Sequence, residues 1–305
     1  MVIRRLVPGE TGPTGGPAFT DLLGICTAWG PTSMTVAPDS GAPVEILLAD
    51  IVSGKPVPPR PSHLARVSAR DAELHTLALW PGLETRPLGE WVLRTDPAPT
   101  GRLLKRANSC LALGSPGRPL AEAVEEVLAF YAARDRAPMM QVEAGAEVEA
   151  ALRAGGWVPL GRGEASFRAA PLSRLHRLLR SRGAGSAAPE ATRVGENAAA
   201  VALHGADGTR VAAGSAVLDG EWLAVHGLTV DDRHRRRGLA TAVMAGLVEW
   251  GAEQGARTVW LHVETDNAPA LALYERLGFS EHHVVRYLVP GPASGSAAGE
   301  ARAAR

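Results

Sequence analysis

Cysteine is scarce in this sequence, with only 2 among 305 residues. The two, Cys26 and Cys110, lie far apart and fit no metal-ligand spacing, which excludes a disulfide scaffold and a cysteine-based metal site. Near the start, Arg4 and Arg5 are followed by Pro8, without the apolar run of a secretory signal. We therefore expect a cytoplasmic protein with reduced thiols.

Long apolar runs and an excess of charge are also missing. No stretch of about 18 apolar residues exists that could span a membrane as a helix. The 32 acidic and 32 basic residues cancel, so no overall field attracts nucleic acid or an anionic membrane. We expect neither as a partner, and the oligomeric state stays open.

Two common phosphate-binding motifs are absent as well. The chain has no Gly-Lys-Ser/Thr of a P-loop and no Gly-x-Gly-x-x-Gly of a dinucleotide-binding fold. A phosphate site in this protein must therefore be built in another way.

Residues 222–250 read as a strand, a basic turn and a helix. Trp222–Val230 is apolar and contains β-formers, and from Leu239 the apolar residues recur at helical spacing. Gly238 suits a sharp turn that lets a ligand approach the backbone. The first turn of the helix offers unpaired N–H groups and the positive end of a dipole. Four arginines add fork-shaped donors, and the whole predicts a pyrophosphate site: Arg233, Arg235, Arg236 and Arg237.

The pattern Arg235-x-x-Gly238-x-Ala240, after a strand and before a helix, resembles the acetyl-coenzyme A loop of the GNAT acetyltransferases. Copies of this pattern that begin at Arg180 and Arg182 follow no strand. The alternative is a solvated basic turn whose charge the two preceding aspartates balance. The resemblance implies acetyl-coenzyme A as cosubstrate, no metal, and these binding residues: Leu228, Thr229, Val230, Arg235, Arg236, Arg237, Gly238, Leu239, Ala240, Thr241 and Asn267.

A second part of the resemblance lies in residues 258–279. A predicted strand leads to Asn267, a good helix N-cap, and to a short helix that stops at Gly278. Asn267 and Tyr274 are two helical turns apart and face one side. In the GNAT family an Asn and a Tyr placed in this way contact the pantetheine and protonate its sulfur, so the resemblance implies these roles here. The alternative for Tyr274 is a half-buried aromatic on an amphipathic helix.

The reaction that follows from this resemblance is direct attack of a neutral amine on the thioester. A strand N–H near Leu228 would stabilise the charge on the carbonyl oxygen, and Tyr274 would protonate the departing thiolate. His226 and Glu264 are the candidates for the base. Each can instead be a strand polar group that faces solvent, and water can replace both.

Residues 1–55 predict a small β-domain. Four or five short strands, separated by Gly, Pro, Asp and Ser turns, suggest an SH3-like β-barrel. The proline-rich residues 56–61 predict a stiff linker.

Residues 62–168 repeat an order of elements found in residues 169–289: turn, long helix, strand, short helix and a Gly–aromatic pair. From Gly117 to Gly156 there are 39 residues, against 40 from Gly238 to Gly278. Leu152 stands where the second copy has its tyrosine. We interpret 62–168 as a degenerate GNAT-like domain, 169–289 as the catalytic GNAT domain, and 290–305 as a disordered tail, in a mixed α/β (α+β) fold.

Acceptor recognition is less defined in the sequence. The family has two helices between its first two strands, which shape the acceptor site, and this chain has room for one. In the first copy, Arg106-Ala107-Asn108-Ser109 is a polar cluster that could hold an acceptor carboxylate.

Three functions remain open at this stage. The first is an acetyl-coenzyme A-dependent N-acetyltransferase that acts on a small-molecule amine. The second is a non-catalytic, coenzyme A-binding regulatory protein, and the third is an adaptor that acts through the N-terminal barrel. The order of domains resembles an actinobacterial acetyltransferase group, some of whose members are labelled N-acetylglutamate synthases, which implies an amino-acid acceptor such as glutamate.

Overall fold

The computed structural model describes residues 1–13, 15–38, 41–56, 63–101, 103–182 and 189–292. The chain divides into two compact units, residues 1–62 and 63–305. The predicted proline linker lies outside the described residues from 57 onward. The predicted tail lies outside them from 293 onward, whereas Pro290 still belongs to the last strand.

The N-terminal unit is one antiparallel sheet of five strands with the order β4-β3-β2-β1-β5. Its core is small and consists of Ile3, Met34, Val36 and Ile46. Among the described residues no pairing joins the edge strands β4 and β5, so the sheet is open and the predicted SH3-like barrel is not formed. The strands are β1 (Val2–Thr11), β2 (Pro17–Trp29), β3 (Ser33–Pro38), β4 (Val44–Leu47) and β5 (Ile51–Lys55).

The described residues of the larger unit form a 12-stranded sheet with six α-helices and short 3-10 turns. Its helices are α1 (Ala69–Leu74), α2 (Leu120–Ala132), α3 (Glu147–Ala154), α4 (Leu172–Arg182), α5 (Leu239–Glu253) and α6 (Ala268–Arg276). Its strands are β6 (Glu84–Leu88), β7 (Trp91–Thr95), β8 (Cys110–Leu111), β9 (Met140–Glu143), β10 (Trp157–Pro159), β11 (Ala165–Pro171), β12 (Thr192–Arg193), β13 (Ala198–His204), β14 (Arg210–Asp219), β15 (Trp222–Val230), β16 (Thr258–Glu264) and β17 (Ser280–Pro290).

The sheet order is nearly symmetric about its centre: β12-β13-β14-β15-β16-β11-β17-β9-β8-β7-β6, with β10 paired to β17. On each side, two parallel strands follow the central pair, β15 with β16 and β8 with β9. The first half of this unit ends with β11 and the second half with β17. These last strands are exchanged between the halves, because β11 pairs with β16 of the second half and β17 pairs with β9 of the first. The two halves therefore form one sheet rather than two.

The predicted boundary between residues 168 and 169 lies inside β11, a strand that the sequence analysis did not predict. Six of its seven residues are buried, because β16 and β17 flank it on both edges and helical segments cover it. Alanine and serine supply four of these residues, so the strand lacks the β-branched run that marks a buried strand in a sequence.

Two layers of helix cover the second half of the sheet. On one face α4 and α5 pack over β13–β16, with Leu223 and Val225 of β15 in their core. On the other face residues 63–79, which include α1, pack against Ala224 and Trp260. The alternation of strand side chains thus sends neighbouring residues of β15 to two different helical layers.

A buried carboxylate joins the centre of the sheet to α1. Glu73 is fully buried, and its Oε1 accepts hydrogen bonds from Nε2 of His262 (2.7 Å) and Nε2 of His283 (3.1 Å). Its Oε2 accepts from Nε2 of Gln141 at 2.8 Å. Burial alone would raise the pKa of Glu73, but its interactions with His262 and His283 outweigh burial and hold the pKa well below the usual range. The carboxylate therefore ties together β9, β16 and β17.

A buried cation lies on the far side of Gln141. Arg94 donates to the Gln141 Oε1 at 2.7 Å and to Ser109 Oγ at 3.0 Å. The amide of Gln141 thus bridges the negative Glu73 and the positive Arg94. Such a network stabilises the fold only when every member is bonded.

We expect Glu73→Gln to lower the free energy of unfolding by about 3 kcal/mol, because three buried N–H donors then lose their shared carboxylate. Urea unfolding of the whole chain, followed by tryptophan fluorescence, measures the change. Glu125→Gln, at an exposed position of α2, is the matched control and should change stability by less than about 0.5 kcal/mol. Equal effects of the two substitutions would show that the Glu73 carboxylate does not stabilise the junction of β9, β16 and β17.

Candidate active site

A wedge-shaped opening lies between β15 and β16. The parallel pairing of these strands runs from Trp222–Thr258 to Ala224–Trp260 and stops there. Both strands continue, β15 to Val230 along β14 and β16 along β11. Beyond Ala224 the inner edge of β15 therefore presents backbone groups that an extended ligand can pair with.

A β-bulge changes the course of β15 inside this opening. Gly227 has a φ of +62°, and the pairing with β14 shifts register between Ala213 and Ser215. A bulge turns backbone groups out of the regular ladder. The predicted oxyanion donor, the N–H near Leu228, lies at this bulge, and Leu228 and Val230 are half-buried while Thr229 is exposed.

The basic turn follows directly after the strand. Asp231 Oδ1 accepts from the Arg233 N–H at 3.0 Å, which starts a 3-10 turn over Asp232–His234. Arg235, selected by the sequence pattern, forms an exposed ion pair with Asp232 at 2.5 Å. Arg236 has a φ of +61°, a left-handed conformation that costs a non-glycine residue about 1 kcal/mol. Asp231 and Asp232 therefore stabilise a turn in which Arg236 has a strained backbone conformation.

The N-terminus of α5 is open for an anion. Gly238, the N-cap residue, has a φ of +78°, makes no side-chain cap, and has nothing within 4 Å of the position of a Cβ. The first turn holds no acidic residue, and the first helical bond runs from the Ala242 N–H to the Gly238 carbonyl at 2.9 Å. The N–H groups of Leu239, Ala240 and Thr241 precede that bond, and helix geometry leaves them without intrahelical partners.

Helix α6 carries the predicted asparagine and tyrosine. Asn267 caps the helix, since its Oδ1 accepts from the Ala270 N–H at 3.2 Å, so the cap uses the amide oxygen and not the amide nitrogen. Tyr274 is 8% exposed, more buried than the sequence suggested, and its ring packs edge-on against Phe279. Burial raises the pKa of Tyr274, so its hydroxyl stays protonated at neutral pH.

The two predicted bases lie on opposite strands of the opening. His226 is an exposed residue of β15, one residue before the bulge, and partial desolvation of its ring, followed by the charge of Arg106, lowers its pKa. The imidazole is therefore neutral at pH 7 and able to accept a proton. Glu264 is exposed at the last position of β16, and its carbonyl accepts from the Asn267 N–H at 3.0 Å.

One residue at the opening was given no role from the sequence. His262 lies on β16 two residues past the last strand pair, on the same face as Trp260. The signal available in the sequence was a histidine in an otherwise apolar strand, which alternation alone assigns to solvent. The structure buries it instead, because α1 brings Glu73 against its Nε2.

The first half lacks the features that favour coenzyme binding in the second half. Glu90 Oε2 accepts from the Ser115 N–H at 2.6 Å in the turn before α2, upstream of the helix N-terminus. Helix α2 itself has Pro119 as its N-cap residue and the acidic Glu122 in its first turn, which disfavours a bound anion. Gly89 packs so closely that a Cβ would lie 2.3 Å from the Pro116 carbonyl carbon. Leu152, at the position of the tyrosine, is buried and carries no hydroxyl.

The segment that contains the opening is similar to known proteins. Residues 173–279 match the acetyltransferase (GNAT) family model. A 63-residue stretch is 40% identical to [ribosomal protein bS18]-alanine N-acetyltransferase of Escherichia coli K12, covering 21% of this chain and 43% of that protein. Mycothiol acetyltransferase of Clavibacter sepedonicus is 44% identical over 64 residues, 21% of each chain. The chain thus spans less than half the length of these relatives.

A solved structure extends the likeness in fold. The GCN5-related N-acetyltransferase from Kribbella flavida superimposes with a TM-score of 0.54 and 18% identity, over 74% of this chain and 96% of that one. Within the described residues, no helix combines the length and apolarity that a membrane crossing requires. The same residues contain no group of three or more His, Cys, Asp or Glu side chains suited to a metal ion.

We expect Gly238→Ala to raise the Kd for coenzyme A by roughly 10-fold, because a side chain at this positive φ strains the turn that presents the N–H groups of α5. Gly255→Ala is a matched control at the other end of α5, with a φ of +84° and the same open surroundings. Both variants should lose about 1 kcal/mol of stability, and only Gly238→Ala should weaken binding in calorimetry. Unchanged affinity in Gly238→Ala would contradict an anion site at this helix end.

The N-terminus of α2 leads to a second expectation, a stoichiometry of one coenzyme A per chain. The first half has the topology of the second, but the first turn of α2 holds the acidic Glu122, which repels an anion, whereas the first turn of α5 holds no acidic residue. Calorimetry or equilibrium dialysis gives the number of sites. Two sites per chain, or a tight site that remains in Gly238→Ala, would show that the first half also binds the coenzyme.

Proposed function

We propose, from the match of residues 173–279 to the acetyltransferase (GNAT) family model, that the protein transfers the acetyl group of acetyl-coenzyme A to a primary amine. The observation that carries the proposal is the combination of the opening between β15 and β16 with the uncapped end of α5. These features stand at the two ends of a single strand–turn–helix segment.

Coenzyme binding relies on the backbone in this proposal. The N–H groups of residues 239–241 and the guanidinium groups of Arg236 and Arg237 hold the diphosphate. The inner edge of Leu228–Val230 pairs with the pantetheine amides as a neighbouring strand would. The amide nitrogen of Asn267 is left to contact the same arm, since only its oxygen caps α6.

The chemical step forms a C–N bond and breaks the C–S bond. His226, neutral at pH 7, takes the proton that the attacking amine loses, directly or through a water, and Glu264 is the second candidate for this role. The N–H at the bulge near Leu228 stabilises the carbonyl oxygen, a contribution of roughly 3 kcal/mol for one such donor. Tyr274 gives its proton to the thiolate and is kept protonated by its burial.

Two finer parts of the proposal concern acceptor and compartment. An amino acid such as glutamate is the acceptor implied by the resemblance to N-acetylglutamate synthase-like proteins. The free thiols of Cys26 and Cys110 fit a reaction in the reducing cytoplasm.

The test is thiol release from acetyl-coenzyme A across a panel of amino acids and amines. Wild type should turn over at least one acceptor. Tyr274→Phe should lower kcat by about 100-fold with an almost unchanged Kd for the coenzyme, because the thiolate then departs without its proton donor. Tyr131→Phe, which removes another buried hydroxyl, one bonded to the Arg94 carbonyl, is the control and should leave kcat within about threefold.

Two outcomes would count against catalysis by this route. If no acceptor releases thiol although the coenzyme binds, the protein is a coenzyme A-binding regulator. If Tyr274→Phe and Tyr131→Phe slow the reaction equally, the tyrosine acts only through stability.

A further inference from the structure

The opening between β15 and β16 has two faces, and they differ in chemistry. The α5 face is apolar, with Val225 and Leu261 in the core beneath that helix. On the opposite face, His226 and His262 each lie two residues beyond the last strand pair, Ala224–Trp260. A ligand held at α5 therefore meets, across the opening, a polar surface that faces residues 63–79 and the first half.

Arg106 of the first half reaches this polar surface. It begins a 3-10 turn, Arg106–Asn108, directly before β8. Its positive charge lowers the pKa of both His226 and His262, and its guanidinium also interacts with the hydroxyl of Tyr287. A single arginine thus interacts with residues of β15, β16 and β17.

The neighbours of Arg106 in the polar cluster are used by the fold. Asn108 accepts from the Asp96 N–H at 3.0 Å and donates to the Leu104 carbonyl at 3.1 Å. Ser109 Oγ is bonded to Arg94. These contacts fix the turn and leave Arg106 as the member of the cluster that can bind a ligand.

Arg106 lacks an anionic partner within the part of the chain that the structure describes. No carboxylate there forms an ion pair with it, and its Nε is buried without a hydrogen bond. By contrast, Arg286 pairs with both Glu149 and Glu164. The side chain of Arg106 is half-buried, and a buried N–H donor without an acceptor is costly, so the arrangement fits an anion that arrives with the ligand.

A second unsatisfied atom is on the other side of the same surface. His262 donates from Nε2 to the Glu73 carboxylate, which makes Nδ1 the unprotonated acceptor nitrogen. That Nδ1 is buried and has no hydrogen-bond partner. Burial, with the charge of Arg106 as the next cause, lowers the pKa of His262 to about 4, so the ring is neutral at pH 7. The surface therefore offers an N–H acceptor beside an anion-binding donor.

We propose that Arg106 binds a carboxylate of the acceptor, so that the substrates are small amines that carry a carboxylate, and that the first half of the chain supplies this wall of the acceptor site. The fork of one guanidinium matches one carboxylate in two parallel hydrogen bonds. A bound carboxylate would leave the amine free to face the neutral histidines and the opening. This inference rests on the proposed acetyltransferase function and specifies its substrate class.

The experiment compares matched acceptors: L-amino acids, their carboxamides, and the amines that remain when the carboxylate is removed. For at least one set, wild type should show a kcat/KM roughly 10-fold or more above that of the amide and amine. Arg106→Met should lower kcat/KM for the amino acid by about 50-fold, mainly through KM, and abolish the preference, because a charge-assisted pair is lost. Arg106→Lys, which keeps the charge but loses the fork, should fall between.

Three controls separate recognition from folding. Arg153→Met removes an exposed arginine of the first half and should change nothing. The Kd for acetyl-coenzyme A should be the same in all variants, and so should the midpoint of thermal unfolding. If Arg106→Met does not fold, Arg106→Lys, which keeps the charge, serves in its place. Its ratio of kcat/KM for the amino acid to kcat/KM for the amide should still be lower than that of wild type.

Equal turnover of acid, amide and amine by wild type would overturn the inference. So would an equal fall for all three acceptors in Arg106→Met, which would make the residue a support for the opening rather than a recognition group. Failure of the proposed function has a different signature: no thiol release with any amine, or no uptake of acetyl-coenzyme A, would remove both.

Discussion

The early separation of β15 from β16 is the constraint on which the candidate site depends. The two parallel strands pair only as far as Ala224 and Trp260, while β14 and β11 keep their outer edges paired. Inside a protein an unpaired strand edge is tolerated only where water or a ligand can satisfy its backbone groups. The opening therefore defines where a ligand pairs with the sheet, and the bulge at Gly227 adjusts the backbone inside it.

The exchange of last strands makes two halves into one unit. β11 and β17 lie side by side at the centre, each paired to a strand of the other half, and Glu73 bonds to β9, β16 and β17 from one side. One consequence is that the two halves contribute different parts of the candidate site. The second half has an open helix N-terminus without an acidic residue in its first turn, whereas α2 of the first half carries Glu122 there, and in our proposal the first half contributes Arg106 to the opening instead.

Features with local causes were predictable, and features that depend on distant pairing were not. The bounds of Trp222–Val230, the turn at Gly238 and the cap at Asn267 each follow from a few adjacent residues, and all are confirmed. The closed N-terminal barrel was wrong, because closure requires two edge strands to meet and no local pattern specifies that. Strand β11 was missed because its burial comes from neighbours some 90 to 120 residues further along the chain.

The sequence by itself determined the strand–turn–helix segment of the predicted anion site, since the strand, the arginine-rich turn, the glycine and the helix all lie within residues 222–253. It also determined the repeat, through the spacing of Gly–aromatic pairs. Only the tertiary structure decided which side chains share the opening. His226, His262 and Arg106 come from three strands or turns, and Glu73, which orients one of them, lies 189 residues from its partner. Such proximity is set by sheet order and strand exchange, which no local pattern of residues encodes.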